Sequence, residues 1–209
     1  MYWIKTPFLV KKWLFPQYIW SGRKIAGQKT VYLTFDDGPT LEITDWVLQQ
    51  LKEYQAKATF FCIGKNVVAH PTIFREIEKN GHRVGNHTFH HFNGWQTETG
   101  DYLQNVADCS NVMDSKLFRP PYGRIKRQQA KALQEEGYQI IMWSVLSGDF
   151  DESLPKEKCL ENVLANVKDG DIVVFHDSVK AFRLLEYVLP RVLKELKERG
   201  FVFEGLWHI

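Results

Sequence analysis

Apolar residues along the chain follow two spacings: continuous runs typical of buried strands, and the three-to-four-residue spacing of amphipathic helices. The run Val31–Phe35 is rich in β-branched and aromatic residues and predicts a strand. Apolar residues at helical spacing over Glu42–Tyr54 predict a helix, and the uninterrupted run Ala58–Ile63 predicts a strand covered on both faces. The main domain is therefore predicted to begin with a strand–helix–strand unit.

The same alternation continues toward the C-terminus. Further strands are predicted at His82–Asn86, Leu117–Phe118, Tyr138–Trp143, Ile172–Phe175 and Phe201–Phe203. The helices between them are predicted at Pro71–Asn80, Asp101–Met113, Ile125–Glu136 and Lys156–Val167, and a last helix is expected to split at Pro190, which lacks an N–H. About seven strand–helix units without a dividing linker favour one α/β domain built as a parallel barrel, with an open doubly wound sheet as the alternative.

Composition agrees with a single large core, because 44% of the 209 residues are hydrophobic. A net charge of +2 from 27 basic and 25 acidic residues gives no polycationic surface, so we expect no nucleic-acid partner. Three widely spaced cysteines without a CxxC motif argue against a disulfide framework and against a thiolate zinc site. The sequence carries no signal for an oligomeric state.

Residues 1–30 form an aromatic segment that precedes the predicted domain at 31–209. Lys11, Lys12 and Pro16 divide it into apolar pieces shorter than the roughly 20 residues that a membrane span needs, so we expect no transmembrane helix. The pattern favours a segment packed over one end of the domain. A peripheral membrane contact is the alternative, because aromatic and lysine side chains favour the headgroup region. No cleavable signal is evident, which favours the cytoplasm over a periplasmic or membrane-associated location.

Polar residues suited to catalysis follow several of the predicted strands. In parallel barrels the active site lies at the C-terminal ends of the strands. The residues at or just beyond those ends are Asp36, Asp37, Asn86, His87, Arg119, Trp143 and His176. We therefore expect these side chains on one rim of the barrel.

Asp36 and Asp37 are adjacent at the end of the first strand. Two carboxylates this close repel each other, which favours a divided role in which one holds a metal ion and the other acts as a base. His87 and His91 are four residues apart, so one helical turn would place both imidazoles on one side; His87 with His90 fits almost as well. Two imidazoles and one carboxylate are a typical ligand set for catalytic zinc.

Two further stretches carry candidate chemistry. In Arg119–Gly123 the two prolines fix the backbone, which sets the direction of the Tyr122 N–H as an oxyanion requires, and Arg119 can pair with a carboxylate in a forked geometry. His176 ends another strand and is suited to proton transfer near neutral pH. Asp149 can bind its imidazole; Asp177 is the alternative, although an adjacent residue on an extended chain points the other way.

These pieces, in this order, resemble the polysaccharide deacetylases, a group of carbohydrate esterases with a NodB-homology domain that act on chitin and peptidoglycan. Thr34–Pro39 resembles the family's TFDDGP motif, His87–His91 its H(S/T)xxH motif and Arg119–Gly123 its RPPYG motif. The resemblance covers nearly the whole chain after the aromatic segment. It implies a distorted (β/α) barrel with about seven parallel strands and a bound divalent metal, with Zn²⁺ expected and Co²⁺, Ni²⁺ or Mn²⁺ as alternatives.

The resemblance also implies a role for each site residue. These roles are general base for Asp36, metal ligand for Asp37, His87 and His91, orientation of the base for Arg119, oxyanion donor for Tyr122, general acid for His176 and support of that acid for Asp149. The expected substrate groove contains Phe150, Val174, Pro120 and Trp143. Phe150 stands where the family usually has tryptophan and Val174 where it usually has leucine, so these two departures bear on substrate choice rather than on reaction type.

The resulting hypothesis is a metal-dependent hydrolase that removes N-acetyl groups from an amino-sugar polymer or oligosaccharide, such as peptidoglycan or a chitooligosaccharide. An O-acetyl esterase that acts on an acetylated polysaccharide is the nearest alternative. A catalytically silent carbohydrate- or metal-binding module ranks lower, because every expected ligand and proton carrier is present.

Overall fold

The computed structural model describes residues 3–207, which form eight strands and seven α-helices. The strands are β1 Lys29–Asp36, β2 Ala58–Cys62, β3 Arg83–Asn86, β4 Leu117–Phe118, β5 Gln139–Ile140, β6 Val145–Leu146, β7 Ile172–His176 and β8 Phe201–Phe203. The helices are α1 Ile43–Glu53, α2 Gly64–Ala69, α3 Pro71–Lys79, α4 Thr99–Ser110, α5 Arg127–Glu135, α6 Lys156–Leu164 and α7 Val179–Glu198.

Seven strands form a parallel sheet in the order β5-β4-β3-β2-β1-β7-β6, and β8 extends it by pairing with the first residues of β1. Strands β1 to β4 each pair with the next strand in the chain, β6 pairs with β7, and β7 returns to β1, which is the order of a barrel. No ladder within residues 3–207 joins β5 to β6, so the barrel is open at that one junction. The predicted distorted barrel of about seven parallel strands is confirmed, and the doubly wound alternative is wrong.

The N-terminal segment, residues 3–28, crosses this open junction. Ile19 bridges to Ile141 beyond β5, and Lys5 bridges to Val145 of β6. Two backbone hydrogen bonds of 2.9 Å accompany these bridges. The Ile19 N–H donates to the Ile140 carbonyl, and the Leu146 N–H donates to the Ile4 carbonyl. Backbone groups that an open barrel leaves unpaired are thus satisfied by the segment.

No helix within residues 3–207 is long and apolar enough to cross a membrane.

The largest core lies between the sheet and the helices outside it. Phe35 of β1 stacks between Phe60 of β2 and Phe175 of β7, with ring centroids 5.0 and 5.8 Å away. Helix α7 covers this region with an apolar face that includes seven buried leucine and valine side chains. The centre of the sheet is therefore a rigid support for the polar residues at its C-terminal edge.

The predicted break at Pro190 is wrong, because α7 continues through it as one helix of 20 residues. A proline inside a helix costs about 3 kcal/mol. Burial of each leucine or valine side chain contributes about 1.5–3 kcal/mol, so the buried face of α7 outweighs the proline.

The predicted strand Tyr138–Trp143 is too long, since β5 ends at Ile140. Beyond that point the carbonyls of Ile141 and Met142 accept hydrogen bonds from the Arg119 side chain instead of from a neighbouring strand. Strand β6 and the short helix α2 were not predicted. With two and six residues they are too short for a periodic pattern to reveal.

Candidate functional site

The C-terminal edge of the sheet brings the predicted site residues together. Asp36, the last residue of β1, is the register partner of His176, the last residue of β7. His87 follows β3 directly, and Arg119 follows β4. Parallel strands therefore place a carboxylate, two imidazoles and a guanidinium on one rim, as the sequence predicted.

Asp37, His87 and His91 form a cluster that we call the histidine–aspartate trio. One possible ligand atom from each lies within 4.8 Å of the others. The Nε2 atoms of His87 and His91 are 3.7 and 3.2 Å from Asp37 Oδ1. The structure thus brings together the three residues that the sequence predicted as metal ligands. His90 lies apart, with its Nδ1 bonded to the Asn105 amide at 2.8 Å.

The two histidines of the trio are not brought together by a helical turn, and that part of the prediction is wrong. Residues 87–91 form an irregular loop in which Thr88 and His91 have φ values of 64° and 60°. Asp37 is also left-handed, with φ 82°. Such conformations are costly for residues with a Cβ and persist where the surrounding structure fixes them, typically at functional sites.

His87 is held as a neutral imidazole with a defined tautomer. Its ring is buried, and its Nδ1 lies 2.7 Å from the carbonyl oxygen of Arg119, so the Nδ1–H donates and Nε2 keeps its lone pair. Burial lowers the pKa of His87 to about 4, despite the opposing effect of Asp36. A neutral imidazole with a free Nε2 is the form that binds a metal.

Asp37 presents a buried oxygen without a matching donor. Within residues 3–207 no hydrogen bond reaches Asp37 Oδ1, although the atom is shielded from solvent. Burial raises the pKa of this carboxyl, but the contact with His91 and the imidazoles of His176 and His87 outweigh burial and hold the pKa well below its usual range. An ionised oxygen between two imidazole nitrogens is a suitable environment for a divalent cation. The ligand atoms of the trio are therefore chemically suited to a metal site.

Asp36 has a different environment from its neighbour. Its Oδ1 accepts a hydrogen bond of 2.7 Å from Arg119 Nη1, and both side chains are buried. The predicted forked pairing is wrong, because the same Nη1 also donates to Thr34 Oγ1, while Nε and Nη2 donate to backbone carbonyls. Arg119 lies over the Phe61 ring at 4.1 Å, so its position is fixed on every side.

His176 and Asp149 form a hydrogen-bonded unit that we call the His176–Asp149 pair. The imidazole Nδ1 lies 2.8 Å from Asp149 Oδ1, and the His176 backbone N–H donates to Oδ2 at 2.8 Å. Burial lowers the pKa of His176, but Asp149, with smaller contributions from Asp37 and Asp36, raises it to about 9.

Asp177 does not contact the His176 ring. Its carboxylate points away, accepting hydrogen bonds from the Thr44 hydroxyl at 2.6 Å and the Gly38 N–H at 3.1 Å. The imidazole therefore has Asp149 as its carboxylate partner.

The turn after β4 points Tyr122 at the trio. Pro121–Gly123 is a single 3₁₀ turn in which Tyr122 is left-handed, with φ 60°. The N–H groups of Gly123 and Arg124 are used inside the turn, as donors to the carbonyls of Pro120 and Pro121. The Tyr122 ring lies 4.6 Å from that of His91, so the turn forms one wall of the site.

These groups surround a catalytic cavity of about 530 Å³. The cavity is also lined by the predicted groove residues Pro120, Trp143, Phe150 and Val174, whereas Arg119 and Asp149 lie behind Asp36 and His176. Phe150 meets the His176 ring edge-on at 5.3 Å.

Sequence reasoning missed four residues of this lining, which are Gly123, Arg124, Leu146 and Lys180. Leu146 ends β6 and would have been found if that strand had been recognised. Gly123 and Arg124 directly follow Tyr122 in the chain, and Lys180 lies in the first turn of α7.

Comparison with known proteins gives concordant matches. The family model described as polysaccharide deacetylase matches residues 23–141. The chain is 35% identical over 182 residues to a peptidoglycan-N-acetylglucosamine deacetylase of Bacillus cereus, with 84% of this chain and 85% of that protein covered. It is 30% identical over 209 residues to a chitooligosaccharide deacetylase of Azorhizobium caulinodans, with 89% of this chain and 97% of that protein covered.

A solved structure matches the fold over nearly its whole length. It is a crystal structure of a peptidoglycan N-acetylglucosamine deacetylase in complex with 4-naphthalen-1-yl-N-oxidanyl-benzamide. It superposes with a TM-score of 0.82 at 32% sequence identity and covers 96% of this chain and 95% of that chain. The match therefore includes the N-terminal segment as well as the barrel.

Proposed function

The chain belongs to the polysaccharide deacetylase family, and we propose that it is a metal-dependent hydrolase that removes acetyl groups from the nitrogen of acetylated amino sugars in a glycan. The relatives named as peptidoglycan-N-acetylglucosamine and chitooligosaccharide deacetylases support an N-acetylated glycan as the substrate. The observation that carries the proposal is the histidine–aspartate trio, placed beside a buried Asp36 and the His176–Asp149 pair.

The metal would be held by Asp37, His87 and His91. Two imidazole nitrogens and a carboxylate oxygen are a typical ligand set for catalytic Zn²⁺ and leave a coordination position open for catalysis. Co²⁺, Ni²⁺ and Mn²⁺ can bind the same ligands, but the set is less typical of them. A bound divalent ion supplies a Lewis acid for the acetyl carbonyl and a lowered pKa for the attacking water.

Asp36 is the proposed general base. Its carboxylate faces the catalytic cavity, and the Arg119 guanidinium holds one oxygen at 2.7 Å, so the group is fixed in direction. In this position it accepts a proton from the water that attacks the acetyl carbon. Positioned general bases contribute about 10²- to 10⁴-fold to rate.

His176 is the proposed general acid. Because its Nδ1 bonds Asp149, the proton on Nε2 is the one available to the cavity, and a pKa near 9 keeps that proton in place at neutral pH. The proton goes to the sugar nitrogen as the carbon–nitrogen bond breaks, since an amide nitrogen leaves poorly as an anion. The Tyr122 N–H is the proposed donor to the oxyanion of the tetrahedral intermediate.

The test is acetate release measured on three substrates: N-acetylglucosamine oligosaccharides, peptidoglycan fragments and acetylated xylan. We expect acetate from the N-acetylated glycans, loss of that activity after chelation, and recovery on addition of Zn²⁺. Acetate from xylan alone would make the protein an O-acetyl esterase. Glycan binding without acetate from any substrate would make it a silent binding module. Either result would overturn the proposal.

A further inference from the structure

A second cavity lies between the N-terminal segment and the catalytic cavity. Its volume is about 240 Å³. Four residues line both cavities, namely Tyr122, Gly123, Trp143 and Leu146. Because the same side chains form a common wall, the two cavities are adjacent, and a chain-like ligand that extends from the catalytic cavity across this wall would reach the second one. We call this second cavity the aromatic cavity.

Seven of the 13 residues that line the aromatic cavity are aromatic, and three of these side chains are strongly exposed to solvent. Trp3, Trp95 and Tyr122 are 58%, 61% and 61% exposed, which is unusual for large side chains grouped in one place. The indole N–H of Trp95 donates to the Ile125 carbonyl at 3.3 Å, and that of Trp20 donates to Phe15 at 2.9 Å. With these N–H groups bonded inside the protein, the two indoles offer mainly apolar surface to a ligand.

The N-terminal wall of the aromatic cavity is fixed to the wall that both cavities share. Thr6 Oγ1 donates to the Trp143 carbonyl at 2.9 Å, and the Thr6 N–H donates to the Ser144 carbonyl at 3.1 Å. The Leu146 N–H donates to the Ile4 carbonyl at 2.9 Å. The segment that carries Trp3 is therefore tied to the strand residues around the catalytic cavity, and the aromatic cavity is part of the folded structure.

We propose that the aromatic cavity binds a neighbouring sugar unit of the same glycan chain, so that the N-terminal segment contributes a subsite to the active site. This inference rests on the proposed function. A pyranose ring has apolar C–H faces and a rim of hydroxyl groups. Its faces can pack on the aromatic side chains of the cavity while its rim meets water at the open side. A fatty acyl chain would need an enclosed apolar site, which the exposed Trp3 and Trp95 do not provide.

The test compares a β-1,4-linked N-acetylglucosamine tetrasaccharide with the N-acetylglucosamine monosaccharide. The variants are Trp3→Ala and Trp95→Ala, with Trp13→Ala as the matched control, because Trp13 is 69% exposed and does not line the cavity. Calorimetric titration in the Asp36→Asn background gives the dissociation constants without consuming the ligand. Steady-state kinetics on the otherwise unaltered enzyme give the matching KM values.

We expect Trp3→Ala and Trp95→Ala to weaken tetrasaccharide binding about three- to tenfold and to raise its KM equally, with kcat unchanged. Monosaccharide binding should not change, Trp13→Ala should match the parent protein, and Trp95→Phe should restore part of the loss. Equal weakening for both sugars, no weakening, or the same effect from Trp13→Ala would overturn the inference. So would saturable binding of decanoate that Trp3→Ala abolishes while tetrasaccharide binding is unaffected.

Failure of the inference and failure of the proposed function can be told apart. If no glycan yields acetate but the variants still weaken tetrasaccharide binding, the deacetylase proposal fails and the subsite stands. If acetate is released and the variants bind the tetrasaccharide normally, the subsite fails and the deacetylase proposal stands.

Discussion

Histidine and aspartate side chains contact each other in two clusters at the catalytic cavity, the histidine–aspartate trio and the His176–Asp149 pair. The two clusters differ in their hydrogen bonding. In the histidine–aspartate trio, Asp37 Oδ1 lies 3.2 and 3.7 Å from imidazole nitrogens, and no hydrogen bond from residues 3–207 reaches it. In the His176–Asp149 pair, both carboxylate oxygens accept hydrogen bonds of 2.8 Å. The trio has an open donor set, whereas the pair is complete without any ligand.

The difference arises from what each histidine Nδ1 contacts. His87 Nδ1 bonds a backbone carbonyl, burial lowers the pKa of the ring to about 4, and the Nε2 lone pair faces Asp37. His176 Nδ1 bonds a carboxylate, which outweighs burial and raises its pKa to about 9, so Nε2 carries a proton. Under the proposed function, the same two residue types would thus give a metal ligand in one place and a proton donor in the other.

The largest expected effect comes from removing a ligand of the trio. His91→Ala should release the metal and lower acetate release on the order of 10⁴-fold, because polarisation of the carbonyl and activation of water are each worth several kcal/mol. The matched control is His90→Ala, whose imidazole bonds Asn105 outside the trio. Metal analysis and acetate assays on both variants check this. Equal loss in the two variants would remove the distinction between His90 and His91.

Asp36→Asn tests the proposed base separately from its neighbour Asp37, the proposed metal ligand. The variant keeps an oxygen that can accept from Arg119 but loses the proton acceptor, so activity should fall about 10²- to 10⁴-fold. Metal content should stay close to that of the parent protein, whereas the melting temperature should fall, because the buried Arg119 guanidinium loses its counter-charge. Normal activity would contradict the base assignment, and loss of metal would place Asp36 among the ligands.

Asp149→Asn tests the His176–Asp149 pair through the pH dependence of activity. An amide cannot hold a charged imidazole, so the pKa of His176 should fall by about one to three units. The alkaline limb of the kcat/KM profile should move down from near pH 9 by the same amount, and a fall of about two units would lower kcat/KM about tenfold at pH 8. An unchanged profile would show that His176 is not the group that titrates.

Asp149→Asn should also change how the stability of the fold depends on pH. The pKa of His176 is higher in the folded protein than its ordinary value of 6.5. The pair therefore stabilises the fold fully below pH 6.5, and this stability is lost as pH rises through about 9. Asp149→Asn should lower the melting temperature more at pH 6 than at pH 10, which thermal scans at the two pH values measure.

The smallest expected effect lies beside the pair, at Phe150, whose ring packs edge-on against His176. Phe150→Trp adds apolar surface to the cavity wall and should lower KM for a chitooligosaccharide about two- to fivefold with kcat unchanged. Phe150→Leu should change KM in the opposite direction. A large change in kcat from either variant would indicate that Phe150 positions the acid rather than the sugar.

The barrel could be predicted from the sequence because its central strands are continuous apolar runs joined by amphipathic helices. The open junction between β5 and β6 could not be predicted, because its backbone pairs with Ile19 and Lys5. These two residues belong to the N-terminal segment, which is distant in the chain and has an irregular hydrophobic pattern. The helix through Pro190 was mispredicted for a related reason, since the buried face of α7 has to be known before its energy can be weighed against a local rule.

The three residues of the trio were predicted to lie together, and they do, but the predicted backbone geometry was wrong. Spacing of four indicated a helical turn, but left-handed Thr88 and His91 bring the imidazoles together in a loop. Spacing alone could not choose between His90 and His91; the family motif chose His91. The aromatic cavity has no sequence signal, because Trp3, Trp95 and Trp143 are far apart in the chain and meet only in the folded protein.

The central claim is that the trio holds the metal and the His176–Asp149 pair supplies the proton. The most direct test is metal content by mass spectrometry in the parent protein, His91→Ala and His176→Ala, each purified and loaded with Zn²⁺ identically. We predict about one ion per chain in the parent protein and in His176→Ala, and none in His91→Ala. Metal retained by His91→Ala, lost from His176→Ala, or absent from the parent protein would contradict the account.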